Sequence, residues 1–266
     1  MRDEKLKIGV FDSGLGGLTI VKAMTQVIQN AEIIYIADTL HAPYGEKSVS
    51  DILNYSLDIA DYLVTQHHID ALVVACNTAT SAAIKTLRSR YPDLIIIGTE
   101  PAIKPAIEQT KTGNIGVLAT PATLKGDKYQ ALVDRVVSHD TITLYEQPCP
   151  GLVEAIEHDM LQSEETIAAL KKWLTPMLEA EVDTIVLGCT HYPLASLVIQ
   201  HIMQNRVTLI DSGGAIAQHL LQQLSALDHV NKGNLLIHLY YTGTIRTSLV
   251  HQLLNHHIQK LTHVKI

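Results

Sequence analysis

The feature that most constrains this chain is that it resembles itself. Ile8-Gly9-Val10-Phe11 opens one half, in which the apolar run Ala71-Leu72-Val73-Val74-Ala75 leads into Cys76-Asn77-Thr78. Ile115-Gly116-Val117-Leu118 opens the other, in which Thr184-Ile185-Val186-Leu187-Gly188 leads into Cys189-Thr190-His191. Ile8 precedes Cys76 by 68 residues and Ile115 precedes Cys189 by 74, so the spacing is nearly kept. Repeated apolar strands are common in α/β chains; what distinguishes this pair is that each run ends in a cysteine.

The rest of the chain follows the same rhythm. Strands are expected at Lys7–Phe11, Glu32–Ala37, Ala71–Ala75, Leu94–Ile97, Ile115–Leu118, Thr141–Leu144, Thr184–Leu187, Val207–Ile210 and Leu235–Tyr240, with helical stretches between them. Continuous apolar strands alternating with helices imply a mostly parallel sheet covered on both faces. Ile52, Tyr55, Ile59 and Leu63 keep one face of a helix between Ser50 and Gln66, with Ser48 or Ser50 able to cap it. Ile167, Leu170, Leu174 and Leu178 do the same between Ser163 and Glu179, with Pro176 expected to kink the last turn. The fold class expected is therefore α/β, as two pseudo-symmetric lobes with the active site in the cleft between them. Pro101 and Pro105 mark one crossing between lobes and Asp211-Ser212-Gly213-Gly214 a second. Residues 1–99 with 211–266 would form the first lobe and 100–210 the second.

Composition excludes several functions. A chain of 266 residues with 47% hydrophobic content can bury a sizeable core. A net charge of -7 with no basic block leaves no footprint for phosphate backbones, so nucleic acid is not an expected partner. The charged start Met1–Lys7 lacks the apolar stretch of a secretory signal, and no run approaches membrane-spanning length, which points to a cytoplasmic protein. Cys76, Cys149 and Cys189 are an odd number with no C-x-x-C pair, against a disulfide framework and a common zinc site. The 14 histidines scatter, clustering mainly at His67-His68, His256-His257 and the C-terminal tail, and most read as solvated surface; only His191 sits inside a motif.

Catalytic groups of open α/β sheets gather at the carboxyl ends of strands, where the next helix presents its N-terminus. Both Cys76 and Cys189 fall there. Unpaired amides and the helix dipole favour thiolate over thiol, and Thr78, Thr80 and Thr190 are suited to capping such turns. Either cysteine alone would read as a small buried hydrophobe; two in matched context do not. A thiolate on one side and a thiol on the other is what removing a carbon-bound proton and returning one to the opposite face requires. Attack distances of about 3–3.5 Å on each side put the sulfurs roughly 7 Å apart, too far for a disulfide. Each thiol needs a neighbour that sets its protonation, and Asp12 and His191 lie nearby in sequence. The loop Asp12-Ser13-Gly14-Leu15-Gly16-Gly17 fits neither G-x-G-x-x-G nor a P-loop, yet its amides suit a substrate carboxylate. Asp211-Ser212-Gly213 reads as a helix cap.

These motifs together resemble bacterial glutamate racemase, over most of the chain: Asp12-Ser13-Gly14-Leu15-Gly16-Gly17-Leu18-Thr19, Ala37-Asp38 with Pro43-Tyr44-Gly45, Ala75-Cys76-Asn77-Thr78, and Leu187-Gly188-Cys189-Thr190-His191-Tyr192-Pro193. The resemblance implies interconversion of L- and D-glutamate for peptidoglycan synthesis, with no cofactor and no metal. It implies Cys76 and Cys189 as the acid/base pair, Asp12 assisting the first and His191 the second. Substrate-binding positions implied are Asp12, Ser13, Tyr44, Gly45, Asn77, Thr78, Thr120, Thr123, Thr190 and His191. A further site carboxylate follows Cys149-Pro150, as Glu157 in ungapped reading, with Glu154 as the alternative. Family members are commonly dimeric, which makes a homodimer the expectation. The chain departs from the family pattern at Ala102, Ala122, Glu154 and His41, none of them at the cysteines. Related aspartate racemases usually carry glutamate after the second Cys-Thr, so His191 favours glutamate, although one methylene discriminates modestly. Competing readings are a racemase for aspartate or a hydantoin-like substrate, a non-catalytic binding protein with inert thiols, and a metal hydrolase using Cys189 and His191.

Overall fold

A computed structural model describes residues 5–137, 142–227, 230–254 and 258–266. The chain divides into two compact units, Met1–Thr99 with Gly213–Ile266, and Glu100–Ser212. The first unit begins with β1 (Leu6–Asp12), α1 (Leu18–Thr25), β2 (Ala31–Ala37), α2 (Val49–His67), β3 (Ala71–Val74), α3 (Asn77–Arg90) and β4 (Ile95–Gly98). The second holds α4 (Ile103–Gln109), β5 (Asn114–Ala119), α5 (Pro121–Lys125), α6 (Asp127–Val136), β6 (Thr143–Pro148), α7 (Leu152–Glu157), α8 (Glu164–Glu179), β7 (Thr184–Leu187), α9 (Ser196–Ile202) and β8 (Thr208–Ile210). The chain then completes the first unit with α10 (Gly213–Ser225), β9 (Leu236–Tyr241), α11 (Thr247–Leu254) and β10 (Ile258–His263).

The first sheet has six strands in the order β10-β9-β2-β1-β3-β4 and the second has four in the order β6-β5-β7-β8. Every strand pair described is parallel, so the expected α/β class with two helix-flanked parallel sheets is what forms. Four strands of each sheet share one order: second, first, third, fourth. The registers coincide as well. Ile8 pairs with Ala71 and Ile115 with Thr184, and each partner lies five residues before its cysteine.

Parallel sheets are covered on both faces, and the central strands are buried accordingly: Ile8, Val10 and Phe11 in one, Ile115, Val117 and Leu118 in the other, all at 0% exposure. The stripe of α2 seats Ile52, Ile59 and Leu63 on the first core, and that of α8 seats Leu170, Leu174 and Met177 on the second. Each such side chain, fully buried, contributes about 1.5–3 kcal/mol. Ser48 rather than Ser50 caps α2, accepting from the Asp51 amide, and Ser163 caps α8 through Thr166. The α8 helix continues through Pro176 to Glu179.

Some expectations shift. The strand expected from Thr141 begins at Thr143 and runs on to Pro148; Thr141 lies outside the described residues, as do His256 and His257. The strand β10 was not expected, because Ile258–His263 alternates weakly and carries Lys260 and His263. His67 is not solvated surface: its ring lies against Tyr62 and Tyr240, and burial lowers its pKa. Among the described residues no helix is long and apolar enough to cross a membrane.

Candidate active site

Each unit gathers its reactive side chains beyond the carboxyl ends of its two central strands, so each half-site is built from its own sheet. In the first unit β1 ends at Asp12, which is fully buried, and its Oδ2 accepts the Gly17 amide at 2.6 Å. That bond folds Ser13–Gly17 back over the strand end and directs the turn into α1. The buried Tyr35 hydroxyl donates to the Gly14 carbonyl at 2.7 Å and holds the same turn from below. Ser13, 6% exposed, stands with its Oγ 3.9 Å from Cys76 Sγ.

Cys76 is itself the N-cap of α3. Its backbone is extended, and its sulfur accepts the Ala79 amide at 3.4 Å. The sequence suggested Thr78 or Thr80 for that role. Thr80 instead turns inward, donating to the Val74 carbonyl and accepting the Thr99 amide. A sulfur seated on the free amides of a helix of 14 residues feels the positive end of its dipole, which favours thiolate. Asn77 and Thr78 follow, both buried, and Asn77 Oδ1 has no hydrogen-bond partner among the described residues. Tyr44, 1% exposed, donates to Asp38 Oδ2 at 2.5 Å; burial first, and the Asp38 charge next, push its phenol far above the usual range and keep it protonated. Gly45 follows it in a short 3-10 turn.

The second unit solves the same problem differently. At the end of β5, Thr120 caps α5, accepting the Thr123 amide at 3.2 Å, and the two hydroxyls lie 2.9 Å apart. Beyond β7, Cys189 occupies a turn rather than a helix N-terminus, and the Tyr192 amide returns to its carbonyl. The expectation that both sulfurs share a helix dipole therefore holds for Cys76 alone. Cys189 has an imidazole instead: His191 Nδ1 lies 3.9 Å from its sulfur, and His191 Nε2 lies 2.7 Å from Glu157 Oε1 at the end of α7. His191 is 1% exposed. Glu157, not Glu154, is the carboxylate that meets it. Thr190, which separates Cys189 from His191 in sequence, is buried.

Cys149 follows β6 and is buried among Leu118, Leu152 and Tyr192; burial first, then the neighbouring Cys189, push its thiol up, so it stays protonated. Among the described residues no group of three or more His, Cys, Asp or Glu is arranged to hold a metal. Sequence reading gave no role to Tyr35, Asp38 or Tyr192; the phenols at strand and turn positions passed as core, and only Asp38, standing after Ala37 at a strand end, carried a signal.

Gly188 lets the chain reach Cys189. A Cβ there would stand 2.9 Å from the Leu118 carbonyl oxygen and 3.0 Å from the Ala119 Cβ, both on β5. Gly188→Ala is expected to cost about 1–3 kcal/mol in urea unfolding, through overpacking against backbone that cannot yield. It should also lower turnover by displacing the adjacent sulfur, which a kcat measurement on folded variant checks.

Residues 8–220 match the family described as Asp/Glu/Hydantoin racemase. The chain is 55% identical over 249 residues to a glutamate racemase of Sulfurovum sp., covering 94% of each. It is similar to the crystal structure of a glutamate racemase isoform from Bacillus anthracis, with a TM-score of 0.86, 30% identity and 98% of both chains covered. It is also similar to a glutamate racemase from Francisella tularensis crystallised in complex with D-glutamate, with a TM-score of 0.83, 28% identity and 98% of both chains covered.

Proposed function

The chain belongs to the Asp/Glu/hydantoin racemase family and its activity is glutamate racemisation; from that premise we propose that the reaction is carried by Cys76 and Cys189, without cofactor. One sulfur, as thiolate, takes the Cα proton of one enantiomer, and the other, as thiol, gives its proton to the opposite face. The pair ends with protonation states exchanged, ready for the reverse enantiomer, so no outside acid, base or oxidant is consumed.

The observation that carries this reading is the matched register. Two cysteines stand at the same offset from paired central strands, and each has its own means of managing a proton. For Cys76 it is the amide end of α3, with Ser13 beside it and Asp12, at the end of β1, assigned to assist it. For Cys189 it is the His191–Glu157 pair. The amino acid's Cα is a weak acid, so the carboxylate must be stabilised as it gains enolate character. Amides of the Ser13–Gly17 turn and of Asn77, and the hydroxyls of Ser13, Thr78, Thr120, Thr123 and Thr190, are the donors assigned to that charge. The buried, unpartnered Asn77 Oδ1 is an acceptor of the kind an α-ammonium satisfies. Tyr44 and Gly45 complete the binding set. The remaining parts of the proposal are a cytoplasmic homodimer and supply of D-glutamate for peptidoglycan.

L-Glutamate incubated in D₂O with enzyme alone is expected to lose its circular dichroism completely, with one deuterium appearing at Cα. L-Aspartate should react about 10–200-fold more slowly, the range one methylene supplies. Optical activity that persists under these conditions defeats the proposal.

A further inference from the structure

The segment from Asp38 to Ser48 contains only the 3-10 turn Tyr44–Glu46, so its shape depends on what it is tied to. It is tied to the far end of the chain. The Asp38 carboxylate, 2% exposed, receives Tyr44 Oη at 2.5 Å on one oxygen and Thr242 Oγ1 at 2.7 Å on the other, with His41 Nδ1 at 3.0 Å from both. Thr242, just beyond β9, also accepts the Leu40 amide at 3.1 Å. The Gly243 amide donates to Thr39 Oγ1 at 2.9 Å, and a Cβ on Gly243 would meet the Leu40 nitrogen at 2.8 Å and the Thr39 carbonyl carbon at 2.9 Å. One hydroxyl thus serves a buried carboxylate and a backbone amide on the same loop.

Among the described residues the second unit shows no such latch. Cys149 holds the position equivalent to Asp38: each donates its amide to the last residue of the central strand, Asp38 to Asp12 and Cys149 to Ala119. The carboxylate occurs in the unit whose sheet carries the additional strands β9 and β10.

We propose that Thr242 is a positioning residue for racemisation: its hydroxyl fixes the Asp38 carboxylate, which fixes the Tyr44 phenol and so the loop that presents Tyr44 and Gly45 to the substrate. This rests on the reading above that Tyr44 and Gly45 meet glutamate. The Thr242 hydroxyl bonds Asp38 and Leu40, and it is assigned no part in holding substrate or in the proton transfers. Its loss should therefore weaken binding rather than the proton transfers.

Thr242→Val keeps the shape and removes the hydroxyl, leaving a carboxylate oxygen and the Leu40 amide each short of a partner. KM for glutamate is expected to rise about tenfold with kcat changed less than about twofold, and Thr242→Ser is expected to restore KM. Amide hydrogen exchange of residues 39–46 should quicken in Thr242→Val and return to the wild-type rate in Thr242→Ser. Gly243→Ala, which keeps the hydroxyl but forces the two segments apart, should raise KM as well and serves if Thr242→Val does not fold. An unchanged KM in Thr242→Val, or equal impairment in Thr242→Ser, overturns the proposal. A wild-type enzyme inactive on glutamate would instead defeat the underlying functional reading, and exchange at 39–46 would still decide whether the latch exists.

Discussion

Alanine at Cys76 or at Cys189 is expected to lower kcat/KM for glutamate racemisation by at least about 10³-fold, in both directions alike, because each removes an acid/base group acting in the transition state. The equality follows from thermodynamics. Enantiomers have the same free energy, so the equilibrium constant is one, and any variant must lose kcat/KM equally for L- and D-glutamate. The two variants should nevertheless differ in a reaction that needs one thiol only. A remaining thiolate can withdraw a proton and return a solvent-derived one to the same face, exchanging Cα hydrogen for deuterium without inversion. Cys76→Ala should therefore exchange one enantiomer slowly and Cys189→Ala the other. Mass spectrometry of each enantiomer after incubation in D₂O reads this directly. Racemisation that survives either substitution, or exchange of the same enantiomer in both variants, is incompatible with one thiol per face.

His191 is expected to matter far more than Glu157. With Glu157 accepting from Nε2–H at 2.7 Å, the other ring nitrogen is left as an acceptor facing Cys189 at 3.9 Å. That is the tautomer needed to take the thiol's proton and give it back. His191→Asn removes the base and should reduce kcat by about 10²–10³-fold, within the usual range for a positioned acid/base group. Glu157→Gln can keep the hydrogen bond through its amide oxygen and loses only the charge, so about tenfold is expected, in line with other residues that orient a functional imidazole. Equal losses in the two variants would remove Glu157 from this role.

Much of the architecture was legible because parallel strands buried on both faces write themselves as unbroken apolar runs, as Ala71–Ala75 and Thr184–Leu187 do. The duplication was legible for the same reason: Ile-Gly-Val recurs at both openings and a cysteine at both exits. What spacing could not convey is which atoms meet. Cys76 caps its own helix through sulfur, a role that residue preferences assign to the threonines beside it. Cys189 stands in an identical register, yet no helix begins there, since Pro193 follows within a 3-10 turn. Glu157 and Glu154 lie three residues apart on one short helix, and the side that faces His191 is set by packing of Leu152 and Ile156 into the core. Thr242 carried no signal, because its partners are 204 residues away and no local pattern records a contact of that span.

The sheet order has a consequence for how the polypeptide is made. Strand β2 pairs with β1 on one side and with β9 on the other, and β9 ends at Tyr241. During synthesis the whole of Glu100–Ser212 emerges before that partner exists, and Ala31–Ala37 waits as an open, strongly apolar edge. At about 5–20 residues per second the wait lasts on the order of tens of seconds. The interval is one in which a nascent chain can pair with a neighbour instead of itself, and its exposure ends only once Leu236–Tyr241 has emerged.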